Sequence, residues 1–162
     1  MIKIFTTGGT IEGYDYDRPS SKQENTKSIQ EIIKSILTKS DYSIEKILDK
    51  DSQFVTDDDR ALMASKIQNV QSSKILVTHG TITMVQTAKF LGQQNLNKTV
   101  VLTGAFILGT NPESDASFNL GFAISALQFL ESGVYIAMNG NIYNWDNVRK
   151  DTENNRFESI NK

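Results

Sequence analysis

Five short β-prone runs, set between stretches of helical periodicity, limit what this chain can fold into. They begin at Ile2 and run through Tyr42 to Leu48, Lys74 to Thr78, Thr99 to Ala105 and Val134 to Gly140. Most are continuous apolar runs, the pattern of strands covered on both faces; the second alternates with charged residues and reads as more exposed. Between them lie apolar stripes at helical spacing. Ile29, Ile32, Ile33, Ile36 and Leu37 form the first, within a helix expected over Ser28–Lys39. Leu62, Met63, Ile67 and Val70 form the second, Met84, Val85, Ala88 and Leu91 the third, and Leu120, Ile124, Leu127 and Leu130 the fourth. Alternating strands and helices predict an α/β fold, a parallel sheet with helices on both faces. About five strands in this rhythm suggest the flavodoxin-like, doubly wound order, with the ends of strands one and three flanking the ligand-binding switch point. No repeat or linker interrupts the pattern, so residues 1–162 read as one domain, long enough for a full core.

Composition removes several classes of function. With no cysteine, disulfides, thiol nucleophiles and cysteine-based metal sites are excluded. One histidine, His79, argues against a multi-histidine metal centre. A net charge of -2 offers no basic footprint for nucleic acid. No apolar run approaches the roughly 20 residues of a membrane span. Met1 leads straight into the first strand without the charged and apolar regions of a leader, so a soluble cytoplasmic protein is expected. Asp57, Asp58 and Asp59 follow Thr56, and helix capping with acids in the first turn explains them better than a metal cluster. No metal or cofactor is expected.

Two strand ends carry the candidate chemistry. The first strand runs into Gly8-Gly9-Thr10, and the third into His79-Gly80-Thr81. Glycines let the backbone turn sharply and leave its N–H groups uncovered. A threonine hydroxyl beside such donors suits attack on a carbonyl, with the donors receiving the oxyanion. The same spacing also fits a tight turn with a capping threonine. A polar stretch with two tyrosines, Glu12 to Asn25, follows Thr10 and reads either as a lid over the ligand end or as a solvated loop. Ser114-Asp115 is expected to cap the fourth helix, and the polar tail, Asn141 to Lys162, to be partly extended.

These residues resemble the bacterial-type L-asparaginases and glutaminase-asparaginases. Thr7-Gly8-Gly9-Thr10-Ile11 looks like the family's TGGTI signature, and Thr78 to Met84 matches THGTDTM in all but one position. Ser52-Gln53, Val101 to Ala105, Ser114-Asp115 with Phe118-Asn119-Leu120, and Asn139 to Lys150 resemble further family segments. The resemblance implies the asparaginase N-terminal-domain fold and an amidohydrolase releasing ammonia from a side-chain amide such as that of asparagine. It makes Thr10 the nucleophile, aided by Tyr16 or Tyr14. It places Thr81 and Lys150 in a second catalytic group, and Ser52 and Gln53 on the substrate's backbone end. Gly9 and Gly80 would offer backbone donors. A lysine near a threonine serves as a base if burial lowers its pKa.

The departure falls at Ile82, which stands where the family's signature has aspartate. That carboxylate is understood to hold the substrate's α-ammonium and to complete the threonine–lysine–aspartate group. Breaking a buried charge pair costs about 3–5 kcal/mol, or about two to three orders of magnitude in binding. Three outcomes stay open: a substrate other than a free α-amino acid, a disabled site, or replacement by another acid, Asp115 or Asp51. The family's C-terminal domain, whose glutamate reaches a neighbouring subunit's site, has no counterpart here, so a homo-oligomer, dimer or tetramer, is expected. The alternative reading is a weakly catalytic or purely ligand-binding module on the same fold. A phosphate binder is disfavoured, because neither a P-loop lysine nor a G-x-G-x-x-G follows the first strand.

Overall fold

The structure is a computed structural model that describes residues 1–161; Lys162, the end of the expected tail, lies outside the described residues. In chain order its strands and helices are β1 (Ile2–Gly8), β2 (Tyr14–Asp15), β3 (Arg18–Lys22), α1 (Ile29–Ser35), β4 (Tyr42–Lys50), α2 (Asp57–Asn69), β5 (Lys74–Thr78), α3 (Met84–Gly92), β6 (Thr99–Thr103), α4 (Ala116–Phe129), β7 (Gly133–Met138), β8 (Asn141–Asn144), β9 (Arg149–Asp151) and β10 (Arg156–Glu158). Short 3-10 turns at Thr10–Glu12 and Ser52–Phe54 follow β1 and β4.

The central sheet has the order β4-β1-β5-β6-β7-β8. Its first five members are parallel, in the expected flavodoxin-like order, and β8 adds an antiparallel edge. Each parallel strand sends alternate residues into two cores. Phe5, Ile75, Val77, Val100, Leu102 and Ile136 pack against α2 and α3, which contribute Met63, Ile67, Met84 and Leu91. Ile4, Leu76, Val101 and Ala137 pack against α1 and α4, which contribute Ile29, Ile33, Leu120 and Leu127. Two buried faces require strands that read as unbroken apolar runs.

Capping boxes start two of the helices. Ser28 and Glu31 bond reciprocally at α1, and Thr56 and Asp59 at α2. The first helix is shorter than expected. It ends at Ser35, and Leu37 adopts a left-handed φ of 53° and stands exposed rather than joining the stripe. At α4, Asp115 occupies the cap position without its side chain accepting from the helix backbone. Its carboxylate instead accepts from the N–H groups of Phe106 and Ile107 and from Asn119 and Asn139. The two remaining polar stretches are more ordered than the sequence suggests. The stretch after Thr10 folds into the β2–β3 hairpin, and the tail forms β8 and the β9–β10 hairpin, anchored by buried Val148 and Phe157.

Candidate active site

Parallel pairing of β1 and β5 puts Thr6 opposite Thr78, so the two glycine–threonine segments leave the sheet side by side. They touch through bare backbone. A methyl group on Gly9 would stand 2.5 Å from Gly80 Cα, and one on Gly80 would stand 2.6 Å from Ser52 Oγ. Gly9 also has a φ of 77°, which L side chains rarely adopt. The end of β4 closes the third side: the Gly9 N–H donates to the Lys50 carbonyl at 3.1 Å. That bond corrects one expectation. The Gly9 N–H is already committed, and the Gly8 N–H donates to Glu12 Oε2 at 2.7 Å, so neither is free to receive an oxyanion. The N–H groups of Thr10 and Thr81 take no partner among the described residues.

Four of the residues singled out from sequence meet here. The Tyr16 hydroxyl, at the tip of the β2–β3 hairpin, hydrogen-bonds Thr81 Oγ1, and Thr10 lines the same cleft beside it. Lys150 Nζ, reaching in from β9, donates to Thr81 Oγ1 at 3.0 Å. Thr10 and Thr81 are buried, and Tyr16 and Lys150 half-buried. The Lys150 ammonium lies 5.6 Å from the Tyr16 ring centroid and 5.4 Å from that of Phe106. Burial pushes the Lys150 pKa below the ordinary lysine value, against an upward pull from the charge of Asp51. Burial raises the Tyr16 pKa, opposed by the neighbouring hydroxyls of Thr81 and Thr10, so the phenol stays protonated at neutral pH. A cleft of about 570 Å³ opens beside this group, with Thr10, Asp15 and Tyr16 on one side and Phe106, Leu108 and Asn111 on the other.

The other expected residues spread around it. Tyr14 turns away and donates to the Asp49 carbonyl at 2.6 Å. Ser52 is buried against Gly80, and its carbonyl accepts from Thr83 Oγ1 at 2.6 Å. Gln53 is exposed, and Ile82 is half-buried between Thr81 and Thr83. The three aspartates of α2 are not a cluster for metal: Asp57 pairs with Arg60, and Asp59 caps the helix and pairs with Lys50. Among the described residues no group of three or more acidic or histidine side chains could hold a metal ion.

Sequence reasoning did not single out the support beneath the site. His79 is fully buried, its pKa lowered to about 4, first by desolvation. A neutral ring here donates through Nδ1 to the Gly80 carbonyl at 2.8 Å, and Nε2 accepts from Thr87 Oγ1 at 3.0 Å. Thr87 in turn accepts from Arg60 Nε at 3.1 Å. This chain fixes the backbone just before Thr81. Phe106 was likewise overlooked, since a phenylalanine after a strand signals nothing until the fold sets it over Lys150.

Comparison with known proteins agrees with the geometry. The family model described as "Asparaginase, N-terminal" matches residues 1–162. L-asparaginase 2 of Escherichia coli (strain K12) is 30% identical over 173 residues, covering 99% of this chain and 49% of the relative. The thermostable L-asparaginase from Thermococcus kodakarensis superposes with a TM-score of 0.84 at 27% identity, over 99% of this chain and 51% of that one. A probable cytoplasmic L-asparaginase from Campylobacter jejuni does so with a TM-score of 0.82 at 31% identity, over 99% and 53%. The chain thus spans about half the length of the relatives it matches. With Thr10 and Thr81 on paired strand ends and every residue covered by the family model, the chain belongs to the asparaginase family, through its N-terminal domain.

Proposed function

We propose that this domain hydrolyses the side-chain amide of asparagine or a close analogue, with Thr10 as nucleophile. The observation that carries the reading is the hydrogen-bonded link Tyr16–Thr81–Lys150 beside Thr10 at the mouth of β1 and β5. Thr10 Oγ1 attacks the amide carbon while its proton passes through the Tyr16 hydroxyl toward Thr81 and Lys150. The N–H groups of Thr10 and Thr81 are available for the developing oxyanion. Collapse expels ammonia, which takes up the transferred proton, and leaves an ester on Thr10. Water activated by the same relay hydrolyses the ester and returns the threonine. Burial lowers the Lys150 pKa, which makes this lysine a better base than an exposed one. The reading includes a homo-oligomer working in the cytoplasm, for which light scattering and cell fractionation are the tests.

A second reading, a module that holds a small amide without turning it over, is favoured by Ile82, whose alkyl side chain can hold no substrate ammonium. Ammonia release from asparagine and glutamine separates the two. On the hydrolase reading the parent is active, Ile82→Asp is more active by about ten- to a thousandfold, and Thr10→Ala loses at least about a thousandfold. Silence in both the parent and a folded Ile82→Asp variant overturns it. Thermal stabilisation by asparagine without ammonia release supports the binding module.

A further inference from the structure

No carboxylate lies within ion-pair distance of Lys150 among the described residues. The residue after Thr81 is Ile82, which carries no charge. Neither Asp115 nor Asp51 fills the gap. Asp115 accepts from the N–H groups of Phe106 and Ile107 and from Asn119 and Asn139. Asp51 is buried at the start of the Ser52–Phe54 turn, where its Oδ1 accepts from the Gln53 N–H at 2.9 Å. The ammonium meets instead one hydroxyl, Thr81 Oγ1 at 3.0 Å, and two ring faces, Phe106 with its centroid at 5.4 Å and Tyr16 at 5.6 Å. A cation within about 6 Å of a ring centroid is attracted by the negative face of the ring, more strongly where water is excluded. Phe106 is itself well fixed. Its N–H donates to Asp115 Oδ1 at 3.0 Å, and its ring packs on that of Phe157, the residue opposite Lys150 in the β9–β10 hairpin.

We propose that Phe106 is a positioning residue for Lys150: its ring face, together with that of Tyr16, stands in for the missing counter-ion and keeps the ammonium on Thr81 Oγ1. The two rings come from different elements, Tyr16 from the β2–β3 hairpin and Phe106 from the loop after β6, and both approach the same nitrogen. The attraction favours the charged lysine and so works against the burial that disfavours it. The catalytic meaning of the contact rests on the hydrolase reading, in which it keeps the lysine at Thr81 once the proton has arrived. The contact itself is measurable without turnover.

The test replaces Phe106 with leucine and, separately, with phenylalanines carrying one, two and three ring fluorines. Fluorination drains the negative potential of the ring face and leaves its shape almost unchanged. Leucine keeps an apolar side chain and removes the face. In each folded protein the Lys150 side chain is titrated by NMR, with the resonance assigned by its loss in Lys150→Arg. Asp51, whose charge also favours the ammonium, is common to the whole series, as is the Tyr16 ring. The Lys150 pKa is expected to fall step by step with each fluorine, and by about half to one and a half pH units in Phe106→Leu. If the enzyme turns over, the acid limb of kcat/KM for asparagine moves to lower pH in the same order. A Lys150 titration unchanged throughout the series overturns the proposal. So does a fall in Phe106→Leu with no dependence on fluorine, the signature of packing alone. If Phe106→Leu does not fold, the fluorinated proteins, which keep the ring, decide the matter. A silent parent whose Lys150 titration still follows the fluorines would sink the hydrolase reading and leave the contact standing.

Discussion

Tyr16 and Tyr14 lie two positions apart in the same hairpin and face different partners. The Tyr16 hydroxyl bonds Thr81 in the cleft that Thr10 lines, while the Tyr14 hydroxyl is tied to the Asp49 carbonyl at the rim. Tyr16→Phe removes the hydroxyl that bonds Thr81 in the cleft beside Thr10 and is expected to cut ammonia release by about 10²- to 10⁴-fold. Tyr14→Phe is expected to leave turnover within a few-fold, and steady-state kinetics on both variants checks the contrast. Equal losses in the two would contradict the assigned geometry. At this scale Thr10, Thr81 and Lys150 were legible because each sits in or beside a recognisable signature. The choice of tyrosine was not legible, since β2 is only two residues long and its pairing with β3 shifts register between Tyr14 and Asp15. Asp51 was named only as one possible substitute acid. Its burial depends on the turn after β4, which no local pattern announces.

Among the elements, the β9–β10 hairpin bears most directly on the chemistry, because it carries Lys150. Lys150 lies opposite Phe157 in the hairpin, and Phe157 is buried against Phe106, with ring centroids 5.7 Å apart. The same Phe106 lies beneath the Lys150 ammonium, and its N–H is held by Asp115. Phe157→Ala should therefore cost about 3–5 kcal/mol of stability and should also loosen Lys150. Ammonia release is expected to drop well below that of the parent at temperatures where circular dichroism shows the variant folded. Parent-like turnover in the folded variant would show that the hairpin does not set the lysine. Strands of three or four polar residues have no apolar alternation to reveal them, so the tail read only as polar and partly extended, without strand bounds. The five parallel strands were legible for the opposite reason: burial on both faces writes itself into the sequence as unbroken apolar runs.

In the molecule as a whole, the order β4-β1-β5-β6-β7 brings three strand ends, β1, β4 and β5, to one edge of the sheet. Glycines at that edge let the three loops pack backbone to backbone, and the two hairpins deliver Tyr16 and Lys150 from opposite ends of the chain. The topology could be anticipated from the alternation of strands and helices; the convergence of the hairpins could not, because it depends on contacts more than 60 residues apart in sequence, such as Tyr16–Thr81 and Thr81–Lys150. The central claim is that this assembly makes Thr10 a nucleophile. The most direct measurement is acid-quenched mass spectrometry of the protein during reaction with asparagine, followed by peptide mapping. The account expects a mass gain of one aspartyl group on the peptide containing Thr10, absent in Thr10→Ala. Ammonia release with no adduct on Thr10, or an adduct that persists in Thr10→Ala, would contradict it.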